Sequence, residues 1–348
     1  AHPYAVIGAG LVQAGVEYLA KLLGPDLLIG DASRNVLLPT AVGALRPTAL
    51  LQPSMAAGQP KADAKWAIVG FKRLKDFSAA LIAGNLNRTT LPGGGRLSTR
   101  ALTIDVVARV GEADSSGLTF ARAFDDPGFR QQFAATLKPL LEPGEVVGLP
   151  AVLGVKDRQV WREIQDGLGI EIFEIPLPPP NVPGIRLNNA LTDIAKAAGI
   201  RWVNGSLVTG FEAKDGKVVS VTAATTGAPH VYKADAFVYA PGGFESGALT
   251  MDSHYQISER LFGLPLAGVK PIGELITGDY WGDPQQVFAV GVAVDSDMRV
   301  VGETGRPVYE NLYAAGGILA GAYRWKEKSG EGIALGSALA AARAIGQE

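Results

Sequence analysis

Cysteine is absent from all 348 residues and histidine nearly so, with His2, His230 and His254 scattered along the chain. The first absence excludes disulfides, thiolate zinc sites and any cysteine-held iron–sulfur cluster, so electrons leaving this chain need another protein. The second leaves no histidine spacing suited to a metal, and no metal site is expected. A dominant charge is missing too: 32 basic against 34 acidic side chains give a formal charge of -2, too little for a broad field that would attract nucleic acid or anionic lipid. The longest apolar runs, such as 312–322, are broken by glycine and fall short of the roughly 20 apolar residues that span a bilayer, so direct membrane insertion is not expected. The first residues have neither a basic n-region nor an apolar h-region, and a cytoplasmic protein is the expectation. The chain begins at Ala1 rather than methionine, compatible with processing or with an upstream segment.

Glycine and short apolar segments are what the sequence has in quantity. The length suggests two domains. Strand candidates at 67–69, 102–107, 146–149 and 170–175 alternate with helix candidates at 74–86, 128–141, 157–167 and 182–198, the mark of an α/β architecture with a largely parallel sheet. Pro176, Pro178, Pro179 and Pro180 form a rigid extended connector, and the domain boundary is expected there. After it the pattern becomes a strand over 200–203, a hairpin and a further strand, with Asp215-Gly216 as the hairpin turn and the last strand, 234–240, running into Pro241-Gly242-Gly243. The expected division is an α/β substrate or cap domain over 1–180, a Rossmann-like flavin domain with a β-meander over 181–252 and 286–348, and a short insertion over 253–285.

Residues 5–24, AVIGAGLVQAGVEYLAKLLG, imitate the strand, glycine turn and helix that bind a dinucleotide. Gln13 stands where the fingerprint needs its third glycine, and Pro3 shortens the strand, so an ordinary amphipathic helix over 11–23 is the preferred reading.

The C-terminal part holds the strongest signal. A short strand in NLYAAGG ends at Gly316 and Gly317, and SGEGIAL opens an alanine-rich helix. Glycines at a strand end let backbone approach a cofactor with no Cβ between, although a tight turn also calls for them. Gly242 and Gly243 repeat the arrangement. Ser329, Gly330, Glu331, Gly332, Ile333 and Ala334 form the helix start, whose N–H groups suit an electron-rich ring edge or a phosphate. Ser329 also reads as an N-cap, and Glu331 as an ordinary first-turn acid.

These segments, taken in order with AHPY at Ala1, RNVLLPTAVGALRPT from Arg34, VGFKRLKDF from Val69 and LPPPNVPGIRLNNAL from Leu177, resemble the B subunits of anaerobic glycerol-3-phosphate dehydrogenases. Those are flavoproteins related more distantly to the fumarate reductase and succinate dehydrogenase flavoproteins. The resemblance implies a bound flavin, FAD or FMN, and two partners from the same enzyme, its A subunit and its iron–sulfur C subunit. It implies a peripheral place at the inner face of the cell membrane through them, and oxidation of glycerol 3-phosphate to dihydroxyacetone phosphate with electrons passed towards quinone. In that family the HPY segment follows a βαβ unit with its own GxGxxG, a loop not evident in this chain. Such chemistry needs basic groups for a phosphate and a base for a hydroxyl proton. Arg324, Lys326, Arg186 and Arg46 are candidates for the first role and His254 for the second, with surface salt bridges and a solvated loop as the alternatives. A non-catalytic assembly partner, or a fragment of a longer FAD-dependent oxidoreductase, is the other functional expectation.

Overall fold

Four stretches of the first half become parallel strands, and in three of them, Lys65–Phe71, Glu145–Pro150 and Ile172–Ile175, side chains buried on both faces explain why they read as nearly continuous hydrophobic runs. The computed structural model describes residues 1–346. The chain divides into two compact units, one of Ala20–Trp202 and the other of Ala1–Leu19 together with the chain from Val203 onward.

In the Ala20–Trp202 unit the strands Ser98–Ile104, Lys65–Phe71, Glu145–Pro150 and Ile172–Ile175 lie side by side in that order, all parallel. Helices Ala79–Arg88, Gly117–Phe124, Pro127–Leu137 and Val182–Ala197 begin at Ser78, Ser116, Asp126 and Asn181, each of whose side chains accepts a backbone N–H of the first turn. Chain order reverses between Lys65–Phe71 and Glu145–Pro150, where open α/β sheets commonly bind ligands. Here the loops leaving those strands carry Leu74 and Val152 into the hydrophobic core beside Phe120, each no more than 2% exposed. The sheet is a packed scaffold at that point.

The boundary falls after Trp202 and not at the prolines. Helix Val182–Ala197 stays with the sheet because Val182 is buried in its core and Arg186 is paired with Glu174 on strand Ile172–Ile175. The first 19 residues, expected in the cap domain, belong to the other unit. Their dinucleotide-like pattern is entirely helical, Pro3–Ile7 and then Ala9–Leu23, with Gly8 at φ 83° between them. His2 caps the first helix and Pro3 occupies its first turn, so no strand precedes the glycines, and the second helix contains the amphipathic helix expected over 11–23.

The unit that begins again at Val203 has a three-stranded antiparallel meander, Leu207–Lys214, Lys217–Ala224 and His230–Lys233. Asp215 and Gly216 both take positive φ, 51° and 76°, as the tight two-residue hairpin turn requires. Strand Phe237–Tyr239 then pairs in parallel with Leu312–Ala314, and helix Gly330–Ile345 closes the described chain. The strand expected over 200–203 is irregular backbone. Among the described residues no helix is long and apolar enough to cross a membrane.

Candidate functional site

Parallel register sets the site. Phe237 lies opposite Leu312, Val238 opposite Tyr313 and Tyr239 opposite Ala314, so both strands end at one level and both Gly-Gly pairs leave from the same edge. Gly242 (φ +87°) and Gly316 (φ +73°) adopt the left-handed conformation that side chains disfavour. Their neighbours are glycine for a different reason. A Cβ on Gly317 would lie 3.4 Å from Gly242 Cα, and one on Gly243 would lie 3.4 Å from Gly317 O and 3.2 Å from an Arg324 guanidinium nitrogen. Side chains there would fill the cradle between the strand ends.

Helix Gly330–Ile345 is fixed against this cradle by Ser337, fully buried, whose Oγ accepts the Gly316 N–H at 2.9 Å and donates to Ile333 O at 2.6 Å. Ser329 stands at the N-cap position, yet its hydroxyl donates to Glu327 Oε2 at 2.8 Å and caps nothing. The amides of Gly330, Glu331 and Gly332 therefore keep the partial positive charge of a helix N-terminus without a side-chain cap. Two expected members of the site have other duties. The Ile333 N–H donates to Ser329 O and its side chain is buried in the core, while Gly332 is glycine because a Cβ there would run into the Tyr4 hydroxyl. The Ala334 Cβ lies 3.9 Å from where a Cβ on Gly316 would stand, which places this residue below the second strand end.

Arg324 opens the short helix Arg324–Glu327 and reaches back over the cradle. Its Nη1 donates to Gly317 O and its Nη2 lies 3.1 Å from Glu245 Oε1. The arginine side chain is 21% exposed and the glutamate 66%, so this ion pair is open to solvent on the carboxylate side. Lys326 in the same helix is exposed. Glu327 accepts N–H and O–H donors from Tyr323, Ser329 and His2; burial alone pushes its carboxyl up, and these hydrogen bonds outweigh it to hold the carboxyl below the usual range. Trp325, half exposed, meets Phe288 edge to face at 6.5 Å.

The other candidate cations and the histidine are not brought to this cradle. All five guanidinium N–H donors of Arg186 are used inside the Ala20–Trp202 unit, by Glu174 twice and by Gln52, Leu153 O and Gly154 O. None remains for a phosphate, which corrects that expectation. Arg46 is exposed on strand Leu45–Thr48 of the same unit. His254 sits at the exposed tip of the hairpin Leu249–Met251 and Ile257–Glu259, whose base is held to Gly243 O by the Leu249 N–H. At about 3.3 Å per residue, the strand carries that tip roughly 10 Å from the cradle.

Glu245 and Ser337 were not singled out by the sequence. The signal for Glu245 is its place two residues after a strand-end Gly-Gly, and for Ser337 the polar atom it puts among glycines and alanines of a buried helix face. A wide groove lined by Lys217, Lys233, Arg299 and Arg306 offers a rival anion site, but it opens by Asn311 at the opposite ends of the two parallel strands, and Glu310, Asp295 and Asp297 already pair with two of its cations. Among the described residues no group of three His, Cys, Asp or Glu side chains could hold a metal.

Residues 1–333 match the family model of the FAD binding domain. The probable B subunit of an anaerobic glycerol-3-phosphate dehydrogenase from Halobacterium salinarum is 30% identical over an alignment that takes in 100% of this chain and 82% of that protein. The B subunit of the Glaesserella parasuis anaerobic glycerol-3-phosphate dehydrogenase is 27% identical over 99% of this chain and 82% of its own. Among solved structures, a 3-ketosteroid dehydrogenase from Rhodococcus jostii covers 85% of this chain and 99% of its own at 14% identity and a TM-score of 0.29, too slight a likeness to argue from.

Proposed function

This chain belongs to the FAD binding domain family, among the B subunits of anaerobic glycerol-3-phosphate dehydrogenases, and from that premise we propose that it is the flavin-carrying oxidoreductase component of such an enzyme. It would oxidise glycerol 3-phosphate to dihydroxyacetone phosphate and pass electrons towards quinone together with the enzyme's A subunit and iron–sulfur C subunit. The absence of cysteine supports that division of labour, because this chain cannot hold an iron–sulfur relay by cysteine ligands. Attachment to the cell membrane through those partners belongs to the same reading, as does a substrate or cap role for the Ala20–Trp202 unit.

The observation that carries the proposal is the cradle formed by Gly242, Gly243, Gly316 and Gly317 above the uncapped start of helix Gly330–Ile345. FAD would fit it with the Arg324 and Glu245 side chains, which now lie against Gly243 and Gly317, moved aside: the glycines add no side chain of their own between backbone and cofactor, and the amides of Gly330, Glu331 and Gly332 would offer an electron-rich edge a favourable dipole. Bound there, the flavin supplies the two-electron acceptor. Arg324 supplies the charge for the substrate phosphate, which would take the place of Glu245 at Nη2. The exchange is cheap, since a solvent-open ion pair contributes only about 0–1 kcal/mol. Glu245, released beside the cradle, would accept the hydroxyl proton, a role for which it stands better placed than His254. Lys326, exposed on the same turn, would add to the field that draws the substrate in.

Dye-linked oxidation of glycerol 3-phosphate by the assembled complex tests this reading. Arg324→Ala should raise KM for that substrate by about tenfold or more, the scale of a lost hydrogen bond between charged groups. Parental kinetics in this variant would remove Arg324 from the site.

A further inference from the structure

The Ala1–Tyr4 segment has no role in the chemistry proposed so far, yet it meets the Arg324 turn at several points. His2 Nδ1 accepts the Tyr4 N–H at 3.1 Å, which leaves the imidazole proton on Nε2, 3.0 Å from Glu327 Oε2. Glu327 in turn ties the segment to the turn that carries Arg324, because its Oε1 accepts the Tyr323 N–H at 3.0 Å and its Oε2 also accepts the Ser329 hydroxyl at 2.8 Å. Tyr4 Oη donates to Ser329 O at 3.1 Å. At the other end of the turn, Gly321 runs so close beneath the segment that a Cβ on it would run into Ala1 O and lie 3.4 Å from His2 Cα. The short helix Arg324–Glu327 has only four residues, too few to hold its own geometry, so these contacts decide where it lies.

We propose that His2, acting through Glu327, is a positioning residue for Arg324, and that the Ala1–Tyr4 segment thereby sets the affinity of the site for the phosphate of its substrate. The proposal rests on the functional reading above for the identity of the anion. Its geometry is a single lever: Glu327 and Arg324 are the two ends of one turn of backbone, with His2 holding the first and the second reaching over Gly317 towards Glu245.

His2→Asn separates this role from capping, since asparagine retains an acceptor for the Tyr4 N–H and is itself a good N-cap, but has no donor that reaches Glu327. In the flavin-loaded complex His2→Asn should raise KM for glycerol 3-phosphate about fivefold, the factor of one hydrogen bond. It should leave the dye-linked turnover of glycerol, which has no phosphate, and the flavin content unchanged. Glu327→Gln should act in the same direction, and His2→Asn should add nothing to Arg324→Ala. Parental KM in both single variants, an equal loss with glycerol, or additive effects with Arg324→Ala would each overturn the proposal. A parental protein that does not oxidise glycerol 3-phosphate sinks the functional reading instead. Calorimetry with inorganic phosphate then decides this one: a fivefold weaker Kd in His2→Asn upholds it, and an equal Kd, or no binding by the parental protein, overturns it.

Discussion

Removing the guanidinium of Arg186 should unfold this protein more readily without touching its chemistry. Glu174 is fully buried at its side chain, and Arg186 meets it at 2.6 Å and 3.0 Å while donating to Gln52 and two carbonyls. Ser54 Oγ and the Leu153 N–H complete the carboxylate's partners. Arg186→Ala leaves that charge in the core with a cavity beside it, and removing one member of a buried pair costs about 3–5 kcal/mol. For a unit of roughly 150–250 residues each kcal/mol lowers Tm by about 2–4 °C, so the melting transition should fall by roughly 6–20 °C. The double variant Arg186→Met with Glu174→Gln should recover most of the loss, because it removes both charges together. Calorimetric scans of the three proteins, with KM for glycerol 3-phosphate measured well below the lowered transition, make the assay. A Tm within about 2 °C of the parent together with a raised KM would refute the reasoning and return Arg186 to the substrate.

Gly332→Ala sets a Cβ against the Tyr4 hydroxyl and should destabilise by about 1–3 kcal/mol, read as a lower urea midpoint, with Tyr4→Phe restoring part of it. The Arg100 guanidinium holds the buried Glu145 carboxyl below its ordinary value of 4.5, against the upward push of burial and with help from the Glu142 N–H. A carboxyl depressed in the folded state stabilises above its unfolded value, and that contribution is lost as pH falls through the folded one. The gap in urea midpoint between the parent and Arg100→Met should therefore be full near neutrality and shrink below pH of about 4.5; a gap independent of pH would show that packing, not charge, sets it. Glu245→Gln should lower kcat for glycerol 3-phosphate by about 10²-fold or more with flavin content retained, and an unchanged kcat would take the proton acceptor elsewhere.

The cradle was legible in the sequence because its signal is local. Gly242-Gly243 and Gly316-Gly317 each follow a short apolar strand, and backbone approach demands glycine at such ends. The Asp215-Gly216 turn was legible for the same reason, since a positive φ at both positions narrows the choice of residue. What pairs across the chain was not. Arg186 reads as a helix-start cation until Glu174, Gln52 and the loop at Leu153 close round it, and Glu245 gains meaning only from Arg324, 79 residues away. The proline run marks a stiff connector, but which unit owns the next helix depends on where Val182 and Arg186 are buried. Residues 5–24 only imitate a fingerprint, because glycine spacing alone does not make a strand, and the missing third glycine at Gln13 made the helix legible. The capping pair His2-Pro3 commits the segment to helix, and several of the glycines in SGEGIALGS answer to helix packing: a Cβ on Gly336 would lie 3.0 Å from Val12 Cγ2 and 3.1 Å from Ile7 Cγ2.

Whether the glycine cradle belongs to a working flavin site is tested most directly by the visible spectrum of the natively purified protein during anaerobic addition of glycerol 3-phosphate. A working site gives a yellow protein that releases FAD on denaturation and whose flavin band bleaches when the substrate is added. A colourless protein, or a flavin band that the substrate leaves unchanged, would contradict it.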